Sequence, residues 1–450
     1  MFNKNQRIHF VGIGGSGMSG IAEVLINLDH CVSGSDIKRS EITNHLKNIG
    51  AKIHIGHNSA NVKFADVVVT SSAIKKDNPE VVAALSKKIP VIERVEMLAE
   101  LARLKYAVTV AGTHGKTTTT SLVSLVLDDG GFDPTIVIGG KLKNLKTSAR
   151  LGKGDFIVAE ADESDGSFLK LSPVIAVVTN IDDDHLDYYG NTENLKNAFI
   201  KHINSIPFYG AAVVCSDDVG IKSIFAKINR KLISYGLCGN PDIKAINIKT
   251  KQPDISFDVT YLNKKLGKVF IKVPGKHNIL NALAAIAVGL VLKIPFELIS
   301  KAIEKFDGVG RRLEVKGSKN GVIVIDDYGH HPTEIAAVLK AIKNFWKSKN
   351  ITVLFQPHRF SRTQQLCESF GKCFKEANSV YVLDIYGAGE KAIKGINAEL
   401  IIKALKKNNC NAFKFDSLKS IKKSLGANDI VLTLGAGDVW KKGAELLTIL

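Results

Sequence analysis

YAVTVAGTHGKTTTT, running from Tyr106 to Thr120, is the stretch that decides the architecture. Its first six residues are apolar and β-branched enough to make a buried strand. The glycines at 112 and 115 make a tight loop, and Thr118 to Leu127 reads as a helix. Strand, glycine loop and helix in that order wrap backbone N–H groups around phosphates. In such a loop Lys116 reaches the terminal phosphates of ATP and the Thr117 hydroxyl ligates Mg²⁺. Gly112, Thr113, His114, Gly115 and Thr118 complete the candidate cradle. The loop departs from the usual G-x-x-x-x-G-K-[ST] spacing, because Val110 stands where the first glycine belongs and a glycine falls at 112. A tighter turn is expected.

Downstream, two strand-like runs end in acidic clusters. DFIVAE finishes at Glu160, ahead of Asp162-Glu163-Ser164-Asp165, and VIAVVTN precedes Ile181-Asp182-Asp183-Asp184-His185-Leu186-Asp187. Loops at the carboxyl ends of parallel strands converge on a common ligand site. Hard oxygen donors there suit Mg²⁺, whereas solvated acidic turns are the bland alternative. Further on, Pro274-Gly275-Lys276-His277-Asn278-Ile279-Leu280-Asn281 opens an Ala-rich helix. Its His and Asn groups match a base or ribose, or Asn278 simply caps the helix.

Upstream, HFVGIGGSGMSGIAEVL carries G-x-G-x-x-G at Gly12, Gly14 and Gly17, between a strand and a helix. Asp36 follows 19 residues after Gly17, beyond the short strand Cys31–Gly34. This is a diphosphate-binding fingerprint, which fits NAD, FAD and UDP-sugars alike. Strand-like Val67–Thr70 and Val91–Ile92 alternate with helical Ile21–Leu28 and Val81–Leu85, as a parallel sheet with crossover helices requires. After the glycine-rich Asp307–Gly310, the strands Val322–Asp326, Ile351–Gln356, Val380–Asp384 and Ile430–Leu434 make a third α/β segment. It carries Gly310-Arg311-Arg312-Leu313-Glu314, Asp326-Asp327-Tyr328-Gly329-His330-His331 and Gln356-Pro357-His358-Arg359-Phe360-Ser361-Arg362. Two arginines three apart at a strand end can grip a carboxylate bidentately. Adjacent histidines cannot converge on one ion, so His330-His331 is not read as a metal site.

Bulk properties narrow the classes. A chain of 450 residues needs more than one core. The formal charge is +17, but only ten of 61 basic residues are Arg, and four of those cluster at 311, 312, 359 and 362. Lys spread over a surface with Arg gathered at one place favours anionic small substrates over nucleic acid. The six cysteines form no CxxC pair, which argues against zinc or a disulfide framework. No signal peptide or membrane-length apolar run is read, so a cytoplasmic protein without membrane insertion is expected.

In this order, HFVGIGGSGMSGIAEVL, GTHGKTTTTS, EADESDGSFL, TNIDDDHLDYY, PGKHNILNALAA, GVGRRLE, DDYGHHPTE, QPHRFSRT, DIYGAGE and LGAGD resemble the Mur ligases over nearly the whole chain. The resemblance implies an α/β protein of three domains. A Rossmann-like one for the UDP-sugar would span 1–104, a P-loop-type ATPase 105–308, and a Rossmann-like one 309–450. It implies an ATP- and Mg²⁺-dependent ligase joining L-alanine to UDP-N-acetylmuramate. A relative adding the tripeptide L-Ala-γ-D-Glu-diaminopimelate is the nearest alternative, and an NAD-dependent dehydrogenase the alternative of another class. Gly12, Gly14, Gly15, Ser16, Gly17, Ser35, Asp36 and Arg94 would hold the UDP-sugar, and Thr117, Glu160 and His185 the metal. Asn278, Asn281, Arg311, Asp326 and Tyr328 would join the phosphate loop on ATP. His330, His358, Arg359 and Arg362 would take the amino acid, with Lys116, His330 and Arg359 in the chemistry. The carbamylated lysine of sister ligases is not expected, since Ala198-Phe199-Ile200 fills its place between Lys196 and Lys201. Monomer and homodimer both remain open.

Overall fold

The computed structural model describes residues 6–71, 73–142, 147–251 and 254–450; the side chain of Ser16 lies outside the described residues. Among the described residues the chain makes three sheets. The first runs Lys52–Ile55, Cys31–Asp36, Arg7–Val11, Val67–Thr70, Val91–Glu93, parallel throughout. The second has ten strands. Its centre runs Leu232–Gly236, Ala211–Cys215, Ile175–Val178, Tyr106–Ala111, Phe156–Glu160, Thr135–Leu142, again parallel. The third runs Glu314–Lys319, Val322–Asp327, Asp429–Leu434, Asn350–Phe355, Ser379–Val382, Ala412–Lys414, with only its first strand antiparallel.

Strands such as Ala211–Cys215 and Ile175–Val178 are buried along their whole length. Parallel sheets covered by helices on both faces demand such continuous apolar runs. The helix Lys276–Val291 follows the same logic, since Ala282 to Val288 are inaccessible to solvent on every side.

By packing, the chain divides into two compact units. The first comprises Met1–Ile248, Ser256–Phe270 and Leu280–Phe306, and the second Lys249–Ile255, Ile271–Ile279 and Asp307–Leu450. The first unit thus joins two sheets that the sequence treats as separate segments. Ion pairs cross the junction: Lys170 bridges Glu93 and Glu96 at 2.6 and 2.8 Å, and Arg94 lies 3.7 Å from Asp162.

Register places the functional loops. In the second sheet Ala111 pairs Val178 and Val110 pairs Glu160, so the loops after those three strands leave from one edge. In the third sheet Leu434 pairs both Asp327 and Phe355, and Phe355 pairs Val382, so four loops leave together.

Candidate active site

The phosphate loop is fixed by the neighbouring strand end. Asn180 accepts the N–H of Thr113 on its carbonyl (3.2 Å) and that of His114 on Oδ1 (2.8 Å), and donates from Nδ2 to His114 O (2.9 Å). Gly112, at φ 125°, has Asn180 N and O each 3.0 Å from where a Cβ would sit. Gly115, at φ 81°, ends the loop, and Asn281 Oδ1 lies 2.7 Å from its would-be Cβ. Asn281 also accepts from Thr119 Oγ1 at 3.1 Å. Its contacts are thus with the phosphate loop and its helix.

Thr117 Oγ1 donates to Glu160 Oε1 at 2.7 Å, while Glu160 Oε2 accepts the N–H of Gly139 at 2.6 Å. A hydroxyl and a carboxylate oxygen side by side at the loop form a hard donor set suited to Mg²⁺. His185 adopts a left-handed backbone (φ 57°) and has Asp184 as its neighbour, 3.7 Å from Nε2. Lys116 folds back over its loop, donating to Gly112 O (2.8 Å), Thr113 O (3.3 Å) and Glu163 Oε1 (2.9 Å). Burial would pull its proton off, but Glu163, Asp162 and Glu160 outweigh burial and hold it charged. For Glu163 burial pushes the other way, toward the neutral acid, and Lys116 draws it back. The three carboxylates around one ammonium make a charged Lys116 the firmer direction.

The helix Lys116–Asp129 starts at Gly115 with no side-chain cap and no acidic residue in its first turn, and so does Ser16–Asn27 after Gly15. By contrast Glu41–Asn48, Pro79–Ser86 and Thr192–Asn204 are capped by Ser40, Asn78 and Asn191. Uncapped N–H groups on a positive dipole end are what phosphate binds.

At the first glycine loop, Gly12 N and Ile13 N donate to Ser35 O (2.8 and 2.9 Å), and Gly14 N donates to Asp36 Oδ2 (2.9 Å). The Arg94 guanidinium occupies the space a side chain at Gly17 would need. A cavity of about 330 Å³ opens beside this loop, lined by Thr70, Ser71, Ile74, Lys75, Lys76, Arg94 and Asp165 among others. Ile74 lies 3.2 Å from the would-be Cβ of Gly12. The Ser35 hydroxyl is engaged elsewhere, with fully buried Glu80 (2.5 Å) and His57 (2.9 Å). Asn61 Nδ2 donates to the same carboxylate at 2.5 Å, and His9 stands 3.7 Å away. Burial alone would push Glu80 up; the nearby His9 ring and hydrogen bonds from Ser35 and Asn61 overcome it and hold the acid at about 2.

In the second unit, Arg311 and Arg312 sit over the Tyr328 ring, each 5.1 Å from its centroid. Arg311 Nε donates to Asp326 (3.2 Å) and its Nη2 to Gly435 O (2.6 Å). Asp326 also accepts from Thr433 Oγ1 at 2.6 Å, so its carboxylate braces the sheet end. Asn278 donates from Nδ2 to Pro274 O at 2.6 Å, and it lies inside the helix beginning at Lys276 rather than at its cap. His330 Nδ1 is 3.2 Å from Tyr328 O; a carbonyl only accepts, so Nδ1 carries the proton and Nε2 a lone pair. Burial pushes His330 down to about 4. His358, 5.7 Å from it between ring centres, is pushed to about 3 by burial and then by His330, Arg362 and Arg359. Arg362 Nη1 reaches His358 Nδ1 at 3.4 Å. Arg359 has a strained backbone, φ 71°.

Sequence reading assigned no role to Glu80, Asn180, Tyr386 and Glu390. Asn180 stands at a predicted strand end and was within reach of the same argument as Glu160. Glu80 meets Ser35 across 45 positions, which no local spacing reveals.

Three family models match: the Mur ligase family catalytic domain over 7–106, the Mur ligase middle domain over 110–289, and the Mur ligase glutamate ligase domain over 311–437. The chain is 65% identical over 450 residues to UDP-N-acetylmuramate--L-alanine ligase of Endomicrobium trichonymphae, covering 100% of both. It is 52% identical to the enzyme of the same name from Geobacter sulfurreducens, covering 99% of this chain and 98% of that one. Among solved structures, the UDP-N-acetylmuramate-alanine ligase of Thermotoga maritima superposes with a TM-score of 0.85 at 30% identity, covering 99% of each chain. With matching domains along nearly its whole length, the chain belongs to the Mur ligase family.

Proposed function

We propose that this chain is an ATP-dependent ligase that forms the amide bond between L-alanine and the lactyl carboxylate of UDP-N-acetylmuramate. The observation that carries the reading is full-length identity of 65% to a ligase of that name. We read domain limits near 104 and 308, small-molecule substrates without nucleic acid, and a cytoplasmic setting. Among the described residues no helix is long and apolar enough to cross a membrane.

The UDP-sugar would lie on Gly12–Gly17, its diphosphate on the uncapped helix end and its sugar toward the cavity beside Arg94. ATP would lie on Gly112–Thr118, with Lys116 turning from Glu163 to the phosphates. Thr117, Glu160 and His185 would hold Mg²⁺, which supplies charge neutralisation on the phosphates when bound. A lactyl carboxylate oxygen attacks the γ-phosphorus, the bond to the β-phosphate oxygen breaks, and acyl phosphate and ADP result. Lys116 faces the charge that builds on the transferred group. Arg359 and Arg362 would clamp the alanine carboxylate. The amine nitrogen then attacks the acyl carbon, phosphate departs, and one proton is released. With its lone pair on Nε2 and its pKa near 4, His330 suits an acceptor that orients the amine better than a strong base.

The test is phosphate release from ATP with UDP-N-acetylmuramate, with and without L-alanine. Release requiring both substrates, abolished by EDTA and restored by Mg²⁺, is expected. Release with the tripeptide but not alanine would overturn the substrate assignment, and release insensitive to EDTA would overturn the metal assignment.

A further inference from the structure

Beyond the arginines and histidines of the amino-acid half, one loop holds them in place. It follows the strand Ser379–Val382 and runs from Tyr386 to Glu390. Tyr386 and the turn before Arg359 are zipped by two backbone bonds: Arg359 N–H to Tyr386 O, and Tyr386 N–H to Pro357 O, each 2.8 Å. The Tyr386 ring lies parallel to that of His358, at 10° and 5.7 Å between centroids. The root of the ring packs against Gly437, where an added Cβ would lie 2.8 Å from Tyr386 Cγ, although the residue as a whole is 41% exposed. Four residues on, Glu390 accepts from Ser361 Oγ (2.7 Å) and Ser361 N (3.1 Å). That carboxylate also feels the charge of Arg359, which helps hold its pKa down against burial.

Arg359 needs this support. Its φ of 71° and ψ of 141° lie where a side chain is strained, and such a backbone persists only when its surroundings over-determine it. The helix that follows, Phe360–Gln365, carries Arg362, so an error in the turn at Arg359 would misdirect both guanidiniums. A bidentate grip tolerates little misplacement.

We propose that Tyr386 and Glu390 are positioning residues for amino-acid capture: Tyr386 fixes the strained Arg359 turn and the His358 ring, and Glu390 anchors Ser361 between the two arginines. This rests on the reading that Arg359 and Arg362 receive alanine. Neither residue need touch a substrate; both act through the groups that do. The stacked ring also shields one face of His358, whose other charged or titratable neighbours are His330, Arg362, Arg359 and Glu390.

The experiment compares wild type, Tyr386→Leu, Tyr386→Phe, Glu390→Gln and Arg359→Ala in steady-state phosphate release, with melting temperature as a check on folding. Tyr386→Leu should raise the alanine KM about tenfold or more while the KM for ATP and UDP-N-acetylmuramate stays within about twofold. Tyr386→Phe, which keeps the ring, should restore most of that loss. In Tyr386→Leu, water reaching His358 should also move the acid limb of kcat/KM for alanine to higher pH. Glu390→Gln should raise the alanine KM in the same selective way without that pH shift. An unchanged alanine KM in both Tyr386→Leu and Glu390→Gln, with Arg359→Ala impaired, overturns the proposal and leaves the alanine site standing. Equal rises in all three KM values overturn it too, because they mark general damage. An unchanged alanine KM in Arg359→Ala would instead overturn the alanine-site reading itself.

Discussion

Lys116 offers a way to separate what a charge does for folding from what it does for chemistry. Its ammonium lies 2.9 Å from a carboxylate oxygen of Glu163, whose side chain is 1% exposed. Lys116→Met strands that carboxylate. Removing one partner of a buried pair costs about 3–5 kcal/mol. Glu163 can relieve part of this by taking a proton, which fixes the sign of the pH dependence. Its folded-state pKa would then lie above its ordinary value of 4.5. Stability is therefore fully kept below the ordinary value and lost as pH rises through the folded one. The deficit of Lys116→Met should widen as pH rises above the ordinary carboxyl value of 4.5. Adding Glu163→Gln removes the stranded charge and should return about half of the loss or more, yet restore no ADP formation. Denaturant midpoints across pH, alongside ADP release, make the measurement. A single variant as stable as wild type at pH 8, or a double variant no more stable than the single, would refute the reasoning.

Two further predictions concern the glycine loop and the buried acid. Gly112→Ala puts a Cβ against Thr179 Oγ1 and 3.0 Å from Asn180 backbone atoms at φ 125°. About 1–3 kcal/mol of backbone strain should appear as a raised ATP KM and a lower melting temperature. Gly56→Ala is the control, at φ 84° with open space around it; its left-handed backbone alone should cost about 1–2 kcal/mol of stability and leave the ATP KM unchanged. Equal effects in the two variants would contradict this. Glu80, held at about 2, contributes stability that is present above its ordinary 4.5 and lost as pH falls toward 2. The shift amounts to about 3 kcal/mol. Acid titration of Glu80→Gln should show a flattened limb in that window, and an unaltered limb would count against the network.

What the sequence disclosed was local. The strand ending at Ala111, the loop to Gly115 and the helix beyond are specified by neighbouring residues, and the helix differs from expectation only by starting at Lys116 and ending at Asp129. Glu160 lay at a predicted strand end, and its bond to Thr117 follows from register. Edge strands were harder: Glu314–Lys319 is half exposed and lysine-rich, and Lys52–Ile55 is short, so neither shows the continuous apolar run of a central strand. Side-chain destinations were hidden altogether. Nothing near Ser35 announces that its hydroxyl turns to Glu80, and nothing near Tyr328 announces two guanidiniums over its ring. Those choices depend on distant residues competing for the same donors, which spacing along the chain does not encode.

The bare amino end of the Lys116–Asp129 helix has a further consequence. A ligand that binds only the folded chain stabilises it by RT ln(1 + [L]/Kd). On the proposed reading phosphate would supply the missing cap, so nucleotide would act as a structural component as well as a reactant. At a hundred times Kd that is worth about 2.7 kcal/mol. The melting temperature then becomes a gauge of nucleotide occupancy. In a starved cell the same linkage would expose idle enzyme to proteolysis sooner than working enzyme, tying the protein's lifetime to its fuel.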